Sequence, residues 1–104
     1  MDLNSNADGT GTPTYGLFLA NGFYDTWEEV GKGNGFTFCQ DADLLNDQSS
    51  LFARIDYILF KNGWMPVKAD NVGEKQQDRT DTGLWPSDHA GVTATLNLGC
   101  RSYG

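Results

Sequence analysis

The sequence predicts an α+β domain: a layered α/β unit with one mostly antiparallel sheet and helix cover on one face. Two observations predict it. A short amphipathic helix with start and stop signals lies near the N-terminus, and the C-terminal half is built of apolar, alternating runs separated by turn formers. The 104 residues contain no internal repeat and no linker, so residues 1–104 are read as a single unit. Hydrophobic residues make up 38% and aromatics 12%, enough for a modest core, while thirteen glycines imply much loop.

The chain opens on Met1-Asp2-Leu3-Asn4. In an extended segment alternate residues face one side, so Asp2 and Asn4 can share a site; the other reading is a solvated leader of turn formers. The helix follows. Thr12 is placed to be its N-cap, Pro13 its first residue and Gly22 its stop, with Tyr15, Phe18 and Leu19 at helical spacing. Gly31, Gly33 and Gly35 come next, without the strand-to-helix context or the Lys-Ser/Thr pair of a phosphate loop. Phe36–Cys39 reads as a short strand. The polar loop 40–50 carries Asp41, Asp43 and Asp47 but lacks the central Gly and terminal Glu of a calcium loop.

Leu51 to Phe60 is the strongest strand signal, with Ile55, Tyr57 and Leu59 on one face and Arg54, Asp56, Ile58 and Phe60 on the other. A carboxylate inside such a run is costly to bury unless paired. Arg54 and His89 are the candidate partners of Asp56. Lys61-Asn62-Gly63 predicts a hairpin turn into a strand over 64–72, whose Pro66 suits an edge or a strand start. The charged loop 73–83 is expected to form a lid or rim, with Lys75 and Arg79 either phosphate contacts or solvated surface charges. Ser87-Asp88-His89 then leads into a β-branched strand over 90–98, and residues 100–104 form a tail. At that strand mouth a carboxylate can hold a cation while the imidazole moves a proton.

Charge and cysteines narrow the classes. Fourteen acidic against seven basic residues argue against a broad basic nucleic-acid face, yet carboxylates that gather a divalent cation are themselves acidic. No apolar run approaches the ~20 residues that span a bilayer, and no signal peptide is visible. Cys39 and Cys100 are read as reduced, buried thiols, with a single bridge as the alternative.

Asp2-Leu3-Asn4, Arg54-Ile55-Asp56-Tyr57-Ile58-Leu59 and Ser87-Asp88-His89, in that order, resemble the last three motifs of the endonuclease/exonuclease/phosphatase superfamily, which has the deoxyribonuclease-I-like fold. The resemblance implies half of a four-layer α/β/β/α sandwich and metal-dependent hydrolysis of phosphodiesters or phosphomonoesters. It implies a catalytic set of Asp2, Asn4, Asp56 and His89. The residue matching Asp2 orients the attacking water, and that matching Asn4 steadies the phosphoryl oxygens. Asp56 would hold His89, and His89 would contact the scissile phosphate. Asp88, with Asp2, would belong to a Mg2+ or Mn2+ site.

The family's metal-binding glutamate has no counterpart here, and Met1 stands where the family has glycine before the Asp. The chain is thus expected to be a truncated unit with weak magnesium binding and little activity alone. The alternative is a catalytically dead remnant that serves as a homodimeric binding or assembly module. An exposed sheet face, inferred from the apolar residues on both sides of 51–60, would form the dimer contact.

Overall fold

A computed structural model describes residues 1–98. The class is α+β, as the sequence predicts. The described residues differ from the expectation in forming two small antiparallel sheets rather than one. The elements are helix α1 (Thr14–Ala20), strand β1 (Tyr24–Asp25), helix α2 (Thr26–Val30), strand β2 (Leu59–Phe60), strand β3 (Trp64–Val72) and strand β4 (Gly91–Leu98), with a 3-10 turn at Gln76–Asp78.

Helix α1 stands close to its predicted place, but its start is capped from elsewhere in the chain. Thr12 does not serve; its hydroxyl donates to Asn4 O at 3.4 Å. The fully buried Ser5 takes that role, its Oγ accepting the Tyr15 N–H (3.0 Å) while donating to Thr12 O (2.6 Å). One of the otherwise orphaned first-turn donors is satisfied in this way. Helix α2 has no counterpart in the expected elements. Asp25 caps it through the Trp27 N–H (3.1 Å), and Glu28 and Glu29 complement its N-terminal dipole.

The three glycines after α2 seat an indole. Trp27 Nε1 donates to Gly33 O at 3.0 Å, and a Cβ at Gly31 or Gly35 would lie 2.3 or 2.4 Å from the Trp27 ring. Glycine is needed there for room, and at Gly35 also for a φ of +66°.

The run 51–60 is not one strand. Only Leu59–Phe60 pair regularly, with Tyr24–Asp25, while Ala53 and Asp56 make isolated bridges to Phe38 and Asp2. The expected short strand at 36–39 is likewise a single bridged residue, Phe38. The turn at 61–63 does not close a hairpin between 51–60 and 64–72. Strand β3 pairs instead with β4, from Trp64↔Leu98 to Val72↔Gly91, with an irregularity between Pro66 and Lys68 where proline cannot donate. Helix α2 packs against β3, covering part of that sheet.

The core gathers Tyr15, Ile55, Tyr57, Phe60, Trp85 and Ala90, with Tyr15 and Tyr57 ring centroids 4.7 Å apart. A buried polar cluster runs beneath them. Arg54 Nη1 meets Asp25 Oδ2 at 2.6 Å, and the Tyr15 hydroxyl donates to the same oxygen at 2.7 Å. Arg54 is therefore the partner of Asp25, not of Asp56. Both sides of 54–60 carry residues covered within the chain, so that segment does not supply the free sheet face expected for dimerisation. Exposed apolar side chains lie instead on the second sheet, at Trp64, Val67, Val72 and Leu98. Cys39 is half-buried; Cys100 and the tail 100–104 lie outside the described residues.

Candidate phosphoester site

Three segments build the site. The first residues lie antiparallel to 55–57: the Leu3 N–H donates to Ile55 O (2.9 Å), the Tyr57 N–H to Met1 O (2.8 Å), and the Met1 ammonium to Tyr57 O (2.5 Å). This pairing sets Asp2 opposite Asp56. The segment 37–40 lies between 53–56 and the start of β4. Phe38 bridges Ala53 on one side and His89 on the other, and the Gln40 N–H donates to Asp88 O at 2.8 Å.

The result is a cluster of Asp2, Asp56 and His89, each offering a ligand atom within 4.8 Å of the others. His89 Nδ1 lies 2.7 Å from Asp56 Oδ2, a short, charge-assisted contact. His89 Nε2 lies 3.9 Å from Asp2 Oδ2, too far for a direct hydrogen bond. Phe38 backs the imidazole, ring centroids 5.0 Å apart at 58°. Below it, the Ser87 hydroxyl accepts the His89 N–H at 3.1 Å and donates to Asp88 Oδ1 at 3.3 Å.

Partial burial on its own pushes the His89 pKa down. The hydrogen bond and negative charge of Asp56, joined by the charges of Asp88 and Asp2, outweigh it, and the pKa is raised from its ordinary 6.5. The imidazole is biased towards its protonated form, with Nδ1 held and Nε2 facing Asp2.

Asn4 stands two residues from Asp2, at φ +49°, a left-handed conformation that asparagine tolerates. Its N–H donates to Asp2 Oδ1 at 2.8 Å, closing a turn that fixes the carboxylate. Asp88 is exposed and stands outside the three-residue cluster. The structure thus brings Asp2, Asp56 and His89 together, with Asn4 bonded to Asp2 and Asp88 at the edge.

The donor chemistry bears on a divalent cation. Carboxylate and water oxygens suit Mg2+ or Mn2+, while an imidazole is a poor ligand for magnesium. Here Asp56 Oδ2 is engaged by His89 and Asp2 Oδ1 by the Asn4 N–H. The set therefore fits a loosely held cation with a largely water-filled shell.

The neighbouring loops are held by the chain's own side chains. Arg79 donates to Gly83 O through Nε (3.0 Å) and Nη2 (2.5 Å) and to Asp47 O through Nη1 (3.2 Å). Gln76 Nε2 also reaches Asp47 O, at 2.6 Å. Trp85, 1% exposed, donates from Nε1 to Asn46 O at 2.8 Å and packs beneath the Arg79 guanidinium. Arg79 is thus a loop brace. Two contributors escaped sequence reasoning: Phe38, which touches the imidazole, and Thr37, which bonds the Asp56 backbone. Neither carries a chemical signature in sequence, because one acts by ring contact and the other by a hydroxyl aimed at main chain.

No protein-family model matches the chain, and no solved structure matches it. The chain is similar to tyrosyl-DNA phosphodiesterase 2 of Rattus norvegicus, 31% identical over 86 residues, covering 77% of this chain. It spans 23% of that protein's length. The likeness is a distant one to a member of the endonuclease/exonuclease/phosphatase superfamily, the group whose motifs the sequence resembles.

Proposed function

We propose that this chain is a phosphoesterase unit of the endonuclease/exonuclease/phosphatase type, acting on phosphodiester or phosphomonoester bonds and weakly active by itself. The observation that carries the reading is the Asp56–His89–Asp2 cluster, with Nδ1 of the imidazole anchored and Nε2 turned towards a second carboxylate.

Each residue has a distinct part. Asp2, fixed by the Asn4 N–H, orients a water at phosphorus and takes its proton as the new P–O bond forms. Asn4 steadies the phosphoryl oxygens. Protonated His89 donates from Nε2 to the ester oxygen as the old P–O bond breaks. Asp56 holds the imidazole and favours its charged form. Asp88 and Asp2 would hold Mg2+ or Mn2+, which when bound neutralises charge on the phosphoryl oxygens.

The test is proton–nitrogen NMR of the full chain titrated with inorganic phosphate and Mg2+, alongside hydrolysis of bis-p-nitrophenyl phosphate. Perturbation of Asp2, Asn4 and His89, with slow turnover abolished in His89→Ala, is expected. No perturbation at these residues, or turnover indifferent to His89→Ala, would sink the reading.

The alternative reading is an assembly module. It draws on the exposed apolar side chains of the second sheet, Trp64, Val67, Val72 and Leu98, since apolar surface left in water marks an interface. On that reading two copies pair through the second sheet. Light scattering at micromolar concentration decides it: a clean monomer removes the homodimer.

A further inference from the structure

The Asp56–His89 contact joins residues 33 apart in the chain. Among the described residues, no bridge pairs their backbones directly; 53 and 89 are each bridged to Phe38. The segment 37–40, bonded to both sides, ties one to the other.

Thr37 is fully buried and bonded to both sides at once. Its N–H donates to Ala53 O (2.8 Å), and its carbonyl accepts the N–H of Ala90, the residue after His89 (2.8 Å). Its hydroxyl Oγ1 accepts two donors, the N–H groups of Ile55 (3.1 Å) and Asp56 (3.2 Å). Consecutive N–H groups of a regular strand point to opposite edges. Their convergence on one oxygen requires the backbone to bend at 55–56. That bend coincides with the break in the expected 51–60 strand.

A hydroxyl reaching in from the side serves both N–H groups. It thereby sets the direction in which the Asp56 side chain leaves the backbone.

We propose that Thr37 is a positioning residue for the imidazole–carboxylate pair: its hydroxyl holds the Asp56 peptide in the bent conformation that presents the carboxylate to His89 Nδ1. The consequence for catalysis rests on the phosphoesterase reading; the positioning itself does not.

The experiment reads the pair directly. In the full chain the Nδ1–H proton shared with Asp56 is expected to give a low-field proton resonance, assigned by its loss in Asp56→Asn. Thr37→Ser keeps the hydroxyl and is expected to keep the resonance at its position. Thr37→Val keeps the shape but deletes the acceptor, and is expected to lose the resonance or move it upfield while the amide spectrum stays dispersed. A dispersed Thr37→Val spectrum with the resonance unchanged overturns the proposal, as does its loss in folded Thr37→Ser.

Should Thr37→Val not fold, hydrogen exchange on the unmutated chain stands in. The Ile55, Asp56 and Ala90 amides, all held by Thr37, are expected to exchange together and slowly. A fast Asp56 amide beside a slow Ala90 amide overturns the proposal. If the resonance responds as expected but no phosphoester is hydrolysed, positioning by Thr37 stands and the phosphoesterase reading falls.

Discussion

His89 Nδ1 and Asp56 Oδ2 lie 2.7 Å apart, a contact between two half-covered side chains at the edge of the core. The carboxylate fixes which ring nitrogen is engaged, so the other is the one available to a substrate. Replacing Asp56 by Asn keeps the size but removes the charge. Asp56→Asn and His89→Ala are each expected to lower hydrolysis of bis-p-nitrophenyl phosphate, by about 10²-fold or more, the usual contribution of a placed acid or base. Initial rates at saturating Mg2+ check this.

Protonation of His89 ties stability to pH. Its pKa is raised in the folded chain through Asp56, Asp88 and Asp2, against the opposing effect of burial. A raised pKa means that the folded state binds the proton more tightly than the unfolded state does. The contribution is fully present below the ordinary imidazole value of 6.5 and is lost as pH rises through the folded value. Urea midpoints are expected to fall across that window in the unmutated chain, and this component of the fall to vanish in His89→Ala.

Arg54 and Asp25 form the most enclosed ion pair of the described residues, with side chains 8% and 2% exposed. Removing one partner leaves the other buried and unpaired. Arg54→Met is expected to cost about 3–5 kcal/mol, as is usual for breaking a buried pair. Tyr15→Phe removes only the hydroxyl bonded to the same carboxylate and is expected to cost about 1 kcal/mol. Chemical denaturation of the two variants side by side gives the comparison.

Gly35 faces the Trp27 ring so closely that a Cβ would sit 2.4 Å from Cε2, and its φ is +66°. Gly35→Ala is expected to destabilise the chain by about 1–3 kcal/mol through overpacking, with added strain from the backbone. Gly33→Ala is the control: its φ is also positive, but a Cβ there meets nothing within 4 Å. Thermal melts that place Gly33→Ala below Gly35→Ala would refute the account.

Much of the local structure was legible in sequence. Pro13 to Gly22 marks α1 within a residue or two, the turn at 61–63 marks the start of β3, and the alternation in 90–98 marks β4. The pairing partners were not legible. The Lys61-Asn62-Gly63 turn suits a hairpin, but the edge of 55–57 is taken by Met1–Leu3, and β2 is taken by β1. Propensity sees only neighbours in sequence, whereas this competition among edges is decided by the whole chain. Helix α2 was missed because five residues give no amphipathic period to read; its start is written in a cap, Asp25, that also neutralises Arg54. The site shows the same division. The sequence offered two partners for Asp56, and distance chose His89, whereas Thr37 has no mark until its hydroxyl is seen between two amides.

Trp85 carries a practical consequence. Its indole is sealed between the loops 41–50 and 73–84, whereas Trp64 is 46% exposed. Seated loops hold Trp85 away from water, and Trp85 lies three positions before Asp88. Its fluorescence, expected to be blue-shifted and isolated as the difference from a Trp85→Phe chain, therefore works as a built-in optical gauge. It reports whether the ground under Ser87-Asp88-His89 is in place, in real time and with no substrate in hand.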